Sequence, residues 1–225
     1  MDALTKSAWR AVVRMTASMA AALFLSAGSL RYWHAWLFLA CFVGSTVWIT
    51  AWLIRHDRGL LARRLEAGVG AEKEPRQKII VALAGIFFVA ELVLPALDFR
   101  NGHTPLGPAA VIAGNLLVLV AFTVVGRVYQ VNSYTSATVQ VEHDQRLIST
   151  GPYSCVRHPM YAGVGLCILG IPLALAHPSG YIAAVPLLVL LILRILAEER
   201  QLGSQLPGYI QYCQAVRYRL IPRIW

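Results

Sequence analysis

Six apolar segments, each close to the length that crosses a bilayer, run along this chain and leave little room for a soluble fold. A membrane core needs roughly 20 apolar residues in a helix. The segments are Val12–Leu30, Trp33–Ile54, Ile79–Leu97, Ala109–Tyr129, Tyr161–Ala176 and Tyr181–Leu196. The last two are short and are joined by a His-Pro-Ser-Gly turn signal. We therefore predict an all-α, polytopic membrane bundle of about six transmembrane segments, whose C-terminal helical hairpin either spans the membrane or dips and returns.

The basic residues predict the orientation of this bundle. With six spans, all twenty Lys and Arg residues except Arg31 and Arg100 fall on one side of the membrane. Loops rich in Lys and Arg face the cytoplasm, so both termini are expected there. Topology and anionic lipid headgroups then account for the formal net charge of +9, which gives no reason to infer a nucleic-acid partner. We expect the membrane to be a bacterial inner membrane.

Polar residues are scarce in the first four segments and concentrated at one membrane depth in the C-terminal part. Glu91 and Asn115 are the exceptions among the early segments. For Glu91, a structural hydrogen bond between helices or a position near the outer water interface is favoured over a functional role. The connector Arg55–Lys78 carries charges of both signs and is predicted to be flexible. The four cysteines show no metal-ligand spacing, so no metal is expected.

Two polar stretches, "VQVEHDQRLISTGPYSCVRHPMYAG" and "RILAEERQL", flank the predicted hairpin. The hairpin turn brings them side by side at the cytoplasmic interface. They would form a pocket with one charged end and one apolar end. Such a pocket suits an enzyme that joins a water-soluble reagent to a lipid-soluble one.

The stretch "GPYSCVRHPMYAG" has the composition of a ligand-binding turn. Pro159 biases His158 away from helical geometry, so nearby backbone groups are expected to be partly free for a ligand. The alternative is an interfacial anchor, in which Tyr153, Arg157 and Tyr161 lie at headgroup level.

Arg194 and Glu198 are four residues apart and share one helix face. A simple ion pair between them is one interpretation. However, Arg194 follows the apolar run "LLVLLIL", where a guanidinium is costly unless it is paired or reaches water. This position favours a functional role for Arg194.

At these residues the sequence resembles the isoprenylcysteine carboxyl methyltransferases and the related phospholipid N-methyltransferases. The similarity rests on "LISTGPYSCVRHPMYAG", "RILAEERQL" and "GYIQYCQAV", and covers roughly residues 140–223. The stretch "LPGY" departs from the family, which usually has a Phe-Gly-acid stretch there. The resemblance implies one membrane methyltransferase domain over residues 1–225, with N-terminal helices in residues 1–130 and the cofactor-binding catalytic region in residues 131–225.

The resemblance also implies S-adenosyl-L-methionine as the cofactor and assigns residues to it. Arg194 corresponds to the catalytic, substrate-binding arginine, which would hold an acceptor carboxylate bidentately. Glu198 would bind the ammonium or the ribose of the cofactor, and backbone N–H groups around His158 would bind its other polar groups. The family's cofactor contacts fall on Gln140, Gln145, Arg146, Leu147, Ile148, Tyr153, His158, Pro159, Met160, Tyr161 and Glu198.

Several alternatives stay open at the level of sequence. The acceptor could be a phospholipid amine or a small thiol in place of a carboxylate. A membrane enzyme like the sterol reductases would use a nicotinamide dinucleotide, for which this motif offers few phosphate contacts. A small transporter or a scaffold is the third alternative, although a transporter would show inverted repeats and polar residues near the membrane midplane. The expected partners are membrane lipids and a lipophilic or small-molecule methyl acceptor.

Overall fold

Helices make up 77% of the protein, whose structure is a computed structural model that describes residues 2–72, 74–135 and 146–225. No strand is present in those ranges. The helices are α1 (Ala3–Ala27), α2 (Trp33–His56), α3 (Arg58–Leu65), α4 (Pro75–Arg100), α5 (Pro108–Val131), α6 (Pro159–Ala174), α7 (Tyr181–Gln205) and α8 (Tyr209–Ala215). The prediction of an all-α fold is confirmed for these ranges.

Five of the helices described, α1, α2, α4, α5 and α7, are long and apolar enough to cross a membrane. The sixth predicted span corresponds to α6, which has 16 residues and is shorter than a typical span. The expectation of two short hairpin helices is wrong for α7, which continues past Leu196 to Gln205. Its last turns contain Glu, Arg, Gln and Leu, which are good helix formers, so the helix runs on beyond the apolar segment.

The polar contacts between helix ends fall into two separate layers. In one layer, the Tyr32 hydroxyl before α2 donates to the carbonyl of Leu175 after α6, at 2.5 Å. The N–H of Leu106, before α5, donates to the carbonyl of Ala176 at 2.7 Å. The opposite layer contains the start of α1, where Asp2 forms an ion pair with Arg58 of α3. The described parts of the predicted polar stretches, residues 146–163 and 194–202, lie in this second layer.

The connector between α2 and α4 was predicted to be flexible, and the structure corrects this prediction. Asp57 accepts a hydrogen bond from the N–H of Leu60 at 2.8 Å and thereby caps α3. Leu60 and Leu61 are buried beside Ile49 and Val128. A short 3₁₀ turn, Val69–Ala71, leads on to α4. Capping and apolar burial thus give the α3 part of this connector a defined structure.

Glu91 also differs from expectation. Its side chain is fully buried in α4, and neither carboxylate oxygen has a hydrogen-bond partner in the part of the chain that the structure describes. The expected hydrogen bond between helices is therefore not formed there. Asn115 instead donates within its own helix, to the carbonyl of Val111 at 2.9 Å.

Helices α5 and α6 pack with their backbones close together, because glycines lie at their contact. A methyl group added at Gly114 would stand 2.2 Å from the backbone nitrogen of Ala174, and one at Gly170 would stand 2.9 Å from the carbonyl oxygen of Gly114. Small residues permit such close approach of membrane helices. This contact fixes the C-terminal part of α6 against the first half of α5.

Replacing Gly114 with alanine should therefore destabilise the protein by about 2 kcal/mol, because the added methyl group forces the two backbones apart. Gly44→Ala is the matched control, since a methyl group there meets nothing within 4 Å. It should leave stability unchanged or raise it by about 0.5 kcal/mol. Thermal unfolding in detergent compares the two variants, and equal midpoints would contradict the close packing of α5 on α6.

Candidate active site

The site begins where the chain enters α6. Gly151 has a φ of 60° and opens a 3₁₀ turn that ends at Ser154. His158 has non-helical backbone angles, and Pro159 is the first residue of α6. Proline fits this first position because its missing N–H would have no partner within the helix. The predicted break before α6 is thus present, and it buries the His158 side chain beside the helix start.

A chain of hydrogen bonds joins α6 to the C-terminal half of α7. The Tyr161 hydroxyl donates to Glu198 Oε2 at 2.6 Å, and Arg194 Nε donates to the same hydroxyl at 3.2 Å. Arg194 and Glu198 thus share Tyr161 between them and do not form the simple ion pair considered for their spacing. These hydrogen bonds place the carboxylate of Glu198 and the guanidinium of Arg194 on either side of the buried Tyr161 phenol.

Arg194 also reaches the connector before α4. Its Nη2 donates to Glu72 Oε1 at 2.8 Å, and its Nη1 donates to Gln77 Oε1 at 3.3 Å. The Glu72 and Arg194 side chains are 2% and 13% exposed, so this ion pair is nearly withdrawn from solvent. A buried, hydrogen-bonded pair of this kind fixes the position of the guanidinium.

A cavity of about 280 Å³ opens beside Arg194, between α4, α5, α6 and α7. Its wall is mainly aliphatic and includes Ile80, Ala84, Val125, Val164, Leu187 and Leu191. The polar lining consists of Arg64, Tyr129, Tyr161 and Arg194, together with the Met160 thioether. The cavity therefore has the charged end and the apolar end that the sequence predicts.

Glu199, the residue after Glu198, binds three cationic or imidazole side chains. Its Oε1 lies 2.9 Å from Arg157 Nε and 3.3 Å from His158 Nε2, and its Oε2 accepts from Arg219 Nε at 2.7 Å. The Arg157 side chain is 9% exposed. Glu199 thus joins α7, the approach to α6 and the C-terminal tail through one carboxylate.

The tail also uses the backbone groups that were expected to be free for a ligand. The N–H of Arg157 donates to the carbonyl of Tyr218, and the N–H of His158 donates to the carbonyl of Arg219, both at 2.9 Å. These two N–H groups are therefore not free for a ligand in this structure, whereas cofactor binding around the His158 turn stays a prediction. Backbone pairing with a segment some sixty residues away satisfies them instead.

Helix α8 covers the 3₁₀ turn that precedes α6. The Tyr212 hydroxyl donates to the carbonyl of Tyr153 at 2.7 Å, and Asn132 Nδ2 donates to the Tyr153 hydroxyl at 2.8 Å. Tyr209 and Leu147 pack in the same apolar cluster. Burial raises the pKa of Tyr212 to about 12, so its hydroxyl is a neutral donor at physiological pH. The tail packs here even though "LPGY" departs from the family pattern.

The structure brings some of the predicted site residues together and separates others. Met160, Tyr161 and Arg194 line the cavity, and Glu198 contacts it through Tyr161. His158 does not line the cavity and instead contacts Glu199. Leu147 and Tyr153 pack against the α8 cluster. Both are half-buried, as is Ile148, and Arg146 is exposed. Gln140 and Gln145 lie outside the residues that the structure describes.

Sequence reasoning missed Glu72, Gln77, Arg64, Tyr129 and Glu199. Arg64 Cζ lies 5.4 Å from the centre of the Tyr129 ring, and Arg64 Nη1 lies 3.9 Å from Met160 Sδ. Glu199 had a sequence signal, because it follows Glu198 in the same motif. Glu72 had none, since an acidic residue in a polar connector usually faces water.

In the described ranges, no group of three or more His, Cys, Asp or Glu side chains is arranged to hold a metal ion. The polar groups near the cavity are instead two tyrosines, two arginines, a glutamine and two glutamates, which can bind charged and hydrogen-bonding parts of organic ligands. These donors and acceptors suit a reagent with its own cationic and hydroxyl groups.

The family comparison agrees with this chemistry. A family model described as phospholipid methyltransferase matches residues 109–206, which is less than half of the chain. The match includes α5 except for Pro108, all of α6 and α7, and the one residue that follows α7. The matched range contains Tyr161, Arg194 and Glu198. Among curated proteins, none matches this chain. Residues 109–206 are thus similar to the phospholipid methyltransferases, and this similarity indicates a membrane methyltransferase.

Proposed function

We propose that this protein transfers a methyl group from S-adenosyl-L-methionine to a lipophilic acceptor at the cytoplasmic face of the membrane. One observation carries the proposal. Tyr161 belongs both to the wall of the apolar cavity and to the hydrogen bond with Glu198. A cofactor bound at Glu198 and an acceptor lodged in the cavity would therefore meet at one side chain.

The residues near Glu198 fit the cofactor. Glu198 uses Oε2 for Tyr161, and its Oε1 has no hydrogen-bond partner among the described residues. A carboxylate oxygen with spare capacity suits the ammonium or the ribose hydroxyls of the cofactor. The side of the site next to Glu198 is formed by Tyr153, His158 and the first turn of α6. The resemblance adds Arg146, Leu147 and Ile148, together with Gln140 and Gln145.

When bound, the cofactor supplies its methyl group from a sulfonium, whose C–S bond breaks with the electron pair remaining on sulfur as the acceptor lone pair bonds to the methyl carbon. The chain's contribution is position and environment. Arg194 and Tyr161 hold the mouth of the cavity in a defined geometry. An in-line displacement depends more on such alignment of the reacting groups than on acid–base catalysis. The aliphatic wall excludes water from the acceptor group.

The distribution of charge supports a cytoplasmic orientation of the site. The helix ends that form the site also carry almost all of the basic residues, while Arg31 and Arg100 belong to the opposite layer. Positively charged loops remain in the cytoplasm. The site would then be supplied with cofactor from the cytoplasm and with acceptor from the lipid.

Two acceptor classes have a specific observation in their favour. A carboxylate, as in isoprenylcysteine carboxyl O-methylation, is favoured by the guanidinium of Arg194 in the cavity lining. An amine, as in phospholipid N-methylation, is favoured by the match to the phospholipid methyltransferases. Both kinds of acceptor consist of a polar reacting group on an apolar chain, which matches the polar end and the aliphatic wall of the cavity.

The test is transfer of labelled methyl groups into lipid. Purified protein in nanodiscs is incubated with methyl-labelled S-adenosyl-L-methionine and with phospholipid amines, lipid carboxylates or lipid thiols in separate reactions. We expect label in the organic extract for at least one acceptor class, and none with boiled protein. Folded protein that transfers no label to any class would contradict the proposal.

A further inference from the structure

Glu72 is the buried acidic residue that contacts the proposed acceptor site from outside the motif. Its side chain is 2% exposed, and its Oε1 lies 2.8 Å from Arg194 Nη2. The two residues are separated by 122 positions in the sequence. A buried carboxylate on a short connector is costly unless it has a charged partner, and Arg194 supplies that partner.

The guanidinium of Arg194 is engaged by protein side chains on each of its nitrogens. Nε donates to Tyr161, Nη1 to Gln77 and Nη2 to Glu72. A carboxylate acceptor that used two of these nitrogens would have to compete with groups already in place. It would also bring a second negative charge close to Glu72, in a site with little water to screen it.

The local fold holds Glu72 in this position. Gly68 has a φ of 98°, which favours glycine, and it lines the same cavity. The 3₁₀ turn Val69–Ala71 follows, and Glu72 has an extended backbone just before α4. Because α4 begins at Pro75, Gln77 lies in its first turn and approaches Arg194 beside Glu72. Two side chains from one junction therefore bind the guanidinium together.

We propose that Glu72 is the specificity-determining residue for the charge of the acceptor. By occupying Arg194, it disfavours acceptors with an anionic reacting group and favours amines. This inference rests on the proposed function, because it assumes that the cavity binds the acceptor. Arg194 then acts mainly as a positioning residue that holds Tyr161 between itself and Glu198.

Binding of matched amphiphiles tests this role without cofactor or turnover. Radiolabelled dodecylamine and dodecanoate are bound to the protein in nanodiscs of neutral lipid, with an excess of unlabelled probe giving the background. The wild-type protein should bind the amine more tightly than the carboxylate. Glu72→Gln should shift the ratio of the two affinities toward the carboxylate by about tenfold or more, since it removes a like charge and releases Arg194.

Glu66→Gln is the matched control, because Glu66 is an exposed carboxylate on the same connector and its removal changes the net charge equally. It should leave the ratio unchanged. If Glu72→Gln does not yield folded protein, Glu72→Asp is measured in the same way. Its shorter side chain loosens the ion pair, so the ratio should shift in the same direction by about threefold.

An affinity ratio that is unchanged in the folded Glu72 variant, or that changes equally in Glu66→Gln, would overturn the role of Glu72. Wild-type protein that prefers dodecanoate would overturn it as well. These outcomes are separate from the methyl-transfer assay. If no methyl transfer is found but Glu72→Gln shifts the binding ratio as expected, the proposed activity is refuted. The charge preference of the cavity is then still supported.

Discussion

Replacing Arg194 with lysine is expected to lower kcat for methyl transfer about a hundredfold while changing the affinity for the cofactor by less than about twofold. A lysine ammonium can keep the ion pair with Glu72. It cannot also donate to Tyr161 and Gln77 in the geometry of a planar guanidinium. Tyr161 would then lose the contact that aligns it between the cavity and Glu198.

The measurement separates this role from a general loss of structure. Steady-state kinetics give kcat and KM for the acceptor, and calorimetry gives the Kd for the cofactor. Arg200→Lys is the control, because Arg200 is exposed on the same helix. Full activity in Arg194→Lys would show that the guanidinium geometry is not used, and an equal loss in Arg200→Lys would show that the effect is not local.

Replacing Glu199 with glutamine is expected to lower the free energy of unfolding by about 3 kcal/mol, because it leaves buried cationic groups without their counter-charge. The Arg157 side chain is 9% exposed and lies 2.9 Å from Glu199. Arg219 of the tail binds the other carboxylate oxygen. An amide can accept hydrogen bonds from these groups but cannot balance two guanidinium charges.

Thermal unfolding in detergent measures the loss of stability, and limited trypsin digestion reports whether the tail is released. We expect faster cleavage after Arg217 and Arg223, since the tail would lose its ion pair through Arg219. Glu66→Gln serves again as the control, because it removes an exposed carboxylate. A melting temperature and a digestion pattern equal to those of the wild type would contradict the bridging role of Glu199.

The positions of the apolar helices along the sequence could be predicted because burial in lipid imposes one simple requirement, about twenty apolar residues per crossing. The start of α6 could also be predicted, because Pro159 permits only a few backbone geometries before it. The end of α7 could not be placed by hydropathy, since its last turns are polar residues that still favour helix. Hydropathy therefore locates the membrane part of a helix better than its full length.

The contacts of the site were harder to predict, because each joins distant segments. Tyr161 and Glu198 belong to two halves of one motif, and a hairpin between them makes their contact a reasonable expectation. Glu72 binds Arg194 across 122 positions, and nothing in the polar connector distinguishes it from Glu66 or Glu74. The backbone pairing of His158 with Arg219 is equally invisible, because any residue can contribute the carbonyl.

The central claim is that the cluster around Glu198 binds S-adenosyl-L-methionine, and calorimetric titration of the cofactor into the purified protein in detergent tests it most directly. The wild-type protein should bind with a Kd of about 1–100 μM, and Glu198→Ala should lose measurable binding because the carboxylate beside Tyr161 is gone. Absence of binding by well-folded wild-type protein, or full binding by Glu198→Ala, would contradict the claim.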